Sequence, residues 1–309
     1  MLATTLERLI IGTRRHSLPV DACLGSMTAL SHLSLTVSSI SLSAGVKLPP
    51  RLTSVRFVAT GPTVALPRQV LDLSRLVKLC LGQVLVADEL PALGPTATDL
   101  SFILCTGPAW LAKNTQLQRL HLVCQTVQSV EVDSGLSALA QLTCLMLSTR
   151  AAPTVPIYAP SEALSRLTNL HKLYVACDLG TPYGLGQWLH TCTWLANLRW
   201  LCASVMQFAF CHHALSLASS LHRRRGGLIP GVTGEYTEMG LLLCKLHSTN
   251  WCPRLERVDL IVRPGAPALP DSVNSDLLEL QRKRPSVLIS RVGATSNEEG
   301  CLVSLGFID

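Results

Sequence analysis

The chain has 309 residues, of which only 15% are charged and 5% aromatic, with a net charge of +6. That positive balance falls short of the dense basic footprint of a dedicated nucleic-acid binder. No run of about 18 or more apolar residues offers a membrane span. Leucine alone supplies 58 residues, where an ordinary core mixes Phe, Tyr, Ile and Val to fill irregular gaps. One branched side chain in such excess implies one pocket shape copied many times.

At the front, Met1–Ser17 carries Glu7, Arg8, Arg14 and Arg15 around a short apolar run and does not read as a signal peptide. The twelve cysteines are scattered singly, with no C-x-x-C pair, and no N-x-S/T site is present. Reduced, mostly buried thiols and a cytoplasmic location are the expectation.

From Leu6 onward a cadence L-x-x-L-x-L returns ten times. In chain order it runs Leu6/Leu9/Ile11, Leu30/Leu33/Leu35, Leu52/Val55/Phe57, Leu76/Leu79/Leu81 and Ala97/Leu100/Phe102. It continues through Leu117/Leu120/Leu122, Leu142/Leu145/Leu147, Leu170/Leu173/Val175, Leu198/Leu201/Ala203 and Leu255/Val258/Leu260. The last two apolar positions of each copy stand two apart, so a strand there turns both to one face. A single strand cannot bury them, so neighbouring copies must. Most copies begin 20 to 28 residues apart, but the last interval is 57, which suggests one degenerate repeat between 204 and 254.

This pattern resembles the leucine-rich-repeat family over roughly residues 1–262. The resemblance implies an α/β solenoid, a horseshoe with a parallel concave sheet and with helices or loops on the convex side. The domain reading is repeats over 1–263, about ten or eleven of them, and a C-terminal cap over 264–309. The family's asparagine ladder is missing. The positions three residues after each strand's last apolar residue hold Arg14, Ser38, Thr60, Val84, Cys105, Gln125, Arg150, Asp178, Met206 and Arg263.

The early repeats are short, which predicts loops or 3₁₀ turns on their outer side. Gly184–Leu195, Phe208–Arg225 and Glu238–Ser248 read as helices, so helices should increase toward the C-terminus. After the Pro/Ala/Gly stretch Pro264–Pro270, Ser275–Lys283 reads as a helix and Ser286–Val292 as a strand closing the last repeat. Nothing covers the first strand at Leu6, so the chain is read as a piece whose preceding segment is missing, with an open edge that meets a partner as the alternative.

Function should lie on the strand residues between the leucines, which tile the concave sheet. The partner-binding set expected there is Arg56, Lys78, Arg119, His121, Lys172, Tyr174, Arg199, Trp200 and Arg257. Arg and aromatic side chains are common interface anchors. They point to a protein partner with an acidic surface, with neither nucleic acid, membrane nor small-molecule substrate indicated.

Catalysis finds no foothold: there is no G-x-S-x-G, no H-E-x-x-H and no Walker lysine. No catalytic residue, metal site or cofactor is expected. Cys202, Cys211, His212 and His213 have ligand chemistry but lack paired zinc spacing. Arg223–Arg225 reads as a cation run at a helix end, and Gly180–Gly186 as a turn. The function expected is a non-catalytic protein–protein interaction scaffold. Irregular repeats without the ladder also look like those of F-box/leucine-rich-repeat proteins, which suggests the substrate-recognition part of a ubiquitin ligase adaptor, although no F-box is present. A structural component of a cytoskeletal or ciliary assembly is a third reading.

Overall fold

A computed structural model describes residues 5–12, 24–38, 46–60, 64–103, 108–124, 135–149, 166–176, 195–204, 246, 252–262 and 271–293. The chain divides into two compact units, Met1–Cys124 with Val130–Thr143, and Gln125–Ser129 with Cys144–Asp309.

In the first unit the cadence becomes the strands β1 (Arg8–Gly12), β2 (His32–Val37) and β3 (Ser54–Ala59). A two-residue strand β4 (Val64–Ala65) follows, then β5 (Lys78–Gly82), β6 (Val84–Leu85) and β7 (Asp99–Ile103). The short helix α1 (Pro108–Leu111) precedes β8 (Arg119–Cys124). The order β1-β2-β3-β5-β7-β8 is parallel throughout, while β4 pairs only with β6. The second unit holds β9 (Cys144–Thr149), β10 (Lys172–Ala176), β11 (Trp200–Ser204), β12 (Arg257–Val262), helix α2 (Asp271–Lys283) and β13 (Leu288–Gly293). Its strands run parallel in the order β9-β10-β11-β12-β13.

The register is the one the spacing demands. Leu33, Val55, Leu79, Leu100 and Leu120 stand side by side, each at most 2% exposed. In the second unit Leu145, Leu173, Leu201 and Val258 do the same at 0%. Burying each such side chain stabilises the fold by roughly 1.5–3 kcal/mol.

Backbone bonds repeat as regularly as the leucines. Among the described residues, in eight of the ten copies the first apolar residue donates its N–H to the carbonyl three residues earlier, as in Leu76 to Leu73 (3.3 Å), Leu117 to Asn114 (3.1 Å) and Leu255 to Cys252 (3.1 Å). The next carbonyl accepts two N–H groups from the following strand. Thr53 accepts from Val77 and Lys78 (2.8 and 3.0 Å), and Arg199 accepts from Glu256 and Arg257 (2.8 and 3.0 Å).

Between strands the described return segments hold few helices. The first unit carries the 3₁₀ turn Arg68–Val70, the β4–β6 pair and the four residues of α1. An asparagine does join neighbouring copies, but it precedes its strand instead of following one. Asn114, fully buried, accepts the Leu93 N–H at 2.8 Å and donates to the Trp110 carbonyl at 2.9 Å. Trp110 stacks on Phe102 and donates its indole N–H to the Pro91 carbonyl at 2.8 Å.

Two expectations need correction. No strand of a degenerate repeat lies between β11 and β12, because these are direct neighbours, Trp200 opposite Arg257. The interval between them contains no L-x-x-L-x-L frame to supply the two inward side chains of another strand. The closing helix starts at Asp271, four residues before Ser275. Of the three further predicted helices, only Leu195, in the 3₁₀ turn Leu195–Asn197, and Leu246, helical and buried, fall within the described residues.

Helix α2 buries Leu277 and Leu280 and ends beside Arg284, itself only 6% exposed. That guanidinium donates to the carbonyls of Cys252 (2.7 Å) and Leu246 (3.3 Å), and burial lowers its pKa from the ordinary value. On the exposed side of α2, Arg282 and Lys283 bind Glu279 at 2.7 and 3.2 Å, which holds its carboxyl down at about 2.

Leu201→Ala, at the centre of the second unit's row, should cost about 2–5 kcal/mol in urea unfolding; a loss under about 0.5 kcal/mol would contradict a shared leucine core. Glu279, with a folded-state pKa depressed from 4.5, adds stability above its unfolded value and loses it as pH falls toward about 2. Its side-chain NMR titration should have its midpoint near 2, and a midpoint near 4.5 would show the pair absent in solution.

Candidate recognition site

Alternation along each strand turns the non-leucine residues to the opposite face, in two rows. The outer row of the first unit runs Arg8, His32, Ser54, Lys78, Asp99, Arg119 in register. Lys78 is half-buried, and Arg119 lies 3.9 Å from the Asp99 carboxylate. The inner row carries Arg56, Cys80, Ser101 and His121. Arg56 is half-buried, but Cys80, Ser101 and His121 are at most 7% exposed.

The second unit gathers its residues more tightly. Its outer row is Cys144, Lys172, Trp200, Arg257, Leu288, and its inner row Met146, Tyr174, Cys202, Asp259, Ser290. Lys172 Nζ lies 4.6 Å from the Trp200 ring centroid and Arg257 Cζ 4.4 Å from it. Each cation comes from the strand on one side of the ring, so both faces of the indole are covered. Such contacts contribute about 0.5–2 kcal/mol each, more where water is excluded.

Beneath the ring lies the Asp259 carboxylate, with 0% exposure. It accepts the Trp200 indole N–H at 2.5 Å, the Arg257 Nε–H at 2.9 Å and the Ser290 hydroxyl. A buried carboxylate is tolerable only when paired and hydrogen-bonded, and here three donors from three adjacent strands meet that need. The indole edge and one guanidinium are thereby fixed before any ligand arrives.

Of the nine residues expected to bind a partner, Lys172, Trp200 and Arg257 come together, each half-buried. Tyr174 does not join them as surface: it stands between Met146 and Cys202 and is 0% exposed. His121, at 7%, is equally enclosed. Arg199 belongs to the strand lead-in, where it pairs with Glu256 at 3.6 Å, outside the Trp200 row. Asp259, Ser290 and Leu288 were not singled out from sequence. The signal for Asp259 was its place two residues after Arg257, on the same face.

The cleft of about 410 Å³ between α2 and β13 is lined by Asn274, Leu277, Leu278, Gln281, Ile289 and Arg291. Ile289 and Arg291 alternate with Leu288 and Ser290, so it opens on the leucine face and takes no part in this site. Among the described residues no group of three or more His, Cys, Asp or Glu is placed to hold a metal ion. Cys80, Cys144, Cys202 and Cys252 are buried, while Cys211, His212, His213, Arg223–Arg225 and Gly180–Gly186 lie outside the described residues. No described helix is long and apolar enough to cross a membrane.

No family model matches the chain, and no curated protein matches it either. The class therefore rests on the fold: each unit is a parallel-stranded β-solenoid with few described helices.

Asp259→Ala would leave the Arg257 guanidinium and the Trp200 N–H without their acceptor. Removing one partner of a fully buried pair costs about 3–5 kcal/mol. Because the Arg257 side chain is 34% exposed and can recruit water, about 2–3 kcal/mol is expected here, read by urea unfolding. A change below about 0.5 kcal/mol would mean that Asp259 does not anchor the ring.

Proposed function

We propose that this chain is a non-catalytic recognition module of the leucine-rich-repeat type, acting in the cytoplasm. It binds an acidic protein segment on the non-leucine face of its second unit. One arrangement carries the reading, the indole of Trp200 held between Lys172 and Arg257 and locked from below by Asp259. Two cations kept on a rigid aromatic lose little conformational freedom on binding, which favours affinity for an anionic partner. Their position on a half-buried face also strengthens attraction to carboxylates relative to open solvent. Substrate capture for a ligase and a fixed place in an assembly would both use this same recognition, and differ only in what the partner does next.

Glutamate-rich fluorescent peptides should bind the whole chain, with affinity falling steeply between about 50 and 150 mM salt. Lys172→Glu, which leaves Asp259 and its three donors intact, should weaken binding about tenfold or more with an unchanged circular dichroism spectrum. Equal affinity of that variant, or no preference for glutamate over glutamine peptides, would overturn the proposal.

A further inference from the structure

The spacing within the same row says what kind of acidic segment fits. Lys172, Trp200, Arg257 and Leu288 occupy consecutive register positions on β10, β11, β12 and β13. Adjacent strands stand about 4.8 Å apart, so the strand positions that carry the two cations are about 9.6 Å apart and that of Leu288 lies about 4.8 Å beyond Arg257. Both cations are drawn onto opposite faces of one ring, and the ring is held by the Asp259 carboxylate. The row ends on an apolar residue, Leu288, which is 58% exposed.

We propose that the ligand is an amphipathic helix of a partner protein, laid across the strands with one turn over each strand. This inference rests on the acidic-segment reading above. A helical turn rises about 5.4 Å, close to the strand spacing of about 4.8 Å, and a modest tilt absorbs the difference over three strands. An extended chain advances about 3.3 Å per residue and turns alternate side chains to opposite faces, which puts it out of step with the row; polyproline II repeats a face every three residues, about 9.3 Å, which spans the two cations but sets no side chain of that face over the Trp200 or Leu288 strand. On the helix, an acidic residue at position i meets Lys172 and a second at i+7 meets Arg257. The residue at i+3 or i+4 lies over the upper edge of the indole, and an apolar one at i+10 or i+11 covers Leu288. Acidic, small, acidic, apolar along one stripe is the complement of Lys172, Trp200, Arg257, Leu288 in both charge and order.

The main arm of the test varies the ligand, and one exposed position of the protein is varied beside it. Three helix-forming peptides of roughly 18 residues are titrated against the whole chain by fluorescence anisotropy. One has Glu at i and i+7 with Leu at i+11; a second has the same composition with Glu at i and i+5; the third has Gln for both Glu. The in-phase peptide should bind about tenfold more tightly than the out-of-phase one, and Leu288→Ala should weaken the in-phase peptide several-fold while leaving the out-of-phase peptide unaffected. Equal binding of the two Glu peptides, both above the Gln peptide, would overturn the helix proposal and leave acidic recognition standing. No advantage of either over Gln would overturn both, as would tighter binding of a single-stranded oligonucleotide than of any peptide.

Discussion

The element on which everything else depends is a carbonyl shared by two N–H groups. In each unit the residue after the first apolar position accepts from two successive amides of the next strand, as His171 accepts from Arg199 and Trp200 at 2.9 Å each. That fork fixes register to the residue, and in a sheet with period-two side chains a slip of one would exchange the two faces. With the register set, leucine meets leucine on one side. On the other, whatever the chain places between the leucines is aligned into rows. The core and the aligned rows on the opposite face are thus two consequences of one backbone arrangement.

The second unit uses that alignment to place a charge in its interior. Asp259 sits in the inner row, where its neighbours are Cys202 and Ser290, and exposure there is zero. Left alone, such a carboxylate would oppose folding. Register instead brings it Trp200 from the strand before and Ser290 from the strand after, with Arg257 two residues behind on its own strand. The interaction that makes the buried charge tolerable is also what holds the indole upright between its cations. In the first unit the corresponding carboxylate, Asp99, lies in the outer row at 19% side-chain exposure and reaches Arg119 only at 3.9 Å, a pair of the weaker, solvent-screened kind. The same fold therefore yields a buried, hydrogen-bonded carboxylate in one unit and a partly exposed ion pair in the outer row of the other.

The strands and their inward rows were legible because their signal is local. Leu170, Leu173 and Val175 announce a strand and its buried face within six residues, and no distant information is needed. The lead-in turn was half visible as a further apolar step, Leu167 before Leu170, and the structure gives that step its cause in the Leu170 N–H bond to the Leu167 carbonyl. What could not be read was non-local. Trp200 and Asp259 are 59 positions apart in the chain, and they meet only because β12 follows β11 directly. Spacing alone argued for another strand between them, which would have held them about 9.6 Å apart. Tyr174 failed as a surface residue for a related reason. Alternation tells which face a side chain leaves by, but enclosure depends on what stands beside it, and Met146 and Cys202 are themselves buried.

The last described strand departs from the leucine pattern. β13 keeps the register of β12, yet opposite Leu260 it places Arg291, whose guanidinium reaches the Asn274 side chain on α2 at 2.7 Å. Just before that strand Arg284 repeats the lead-in turn, its carbonyl accepting the Val287 N–H at 3.0 Å, while its side chain is spent on the carbonyls of the preceding copy. Those carbonyls lie at the turn around Cys252 and Leu255, and the carbonyl of Leu76, the counterpart of Leu255 in an earlier copy, is met by the Thr96 hydroxyl at 2.7 Å. An arginine, with five donors on a flat fork, can meet several at once. Its burial costs desolvation, as the lowered pKa records, and the charge-assisted bonds offset that cost. Closing the row by polar groups on the leucine side leaves the opposite face of β13 free to carry Leu288 outward. The exposed leucine gives the described row a direction, from Lys172 toward Leu288.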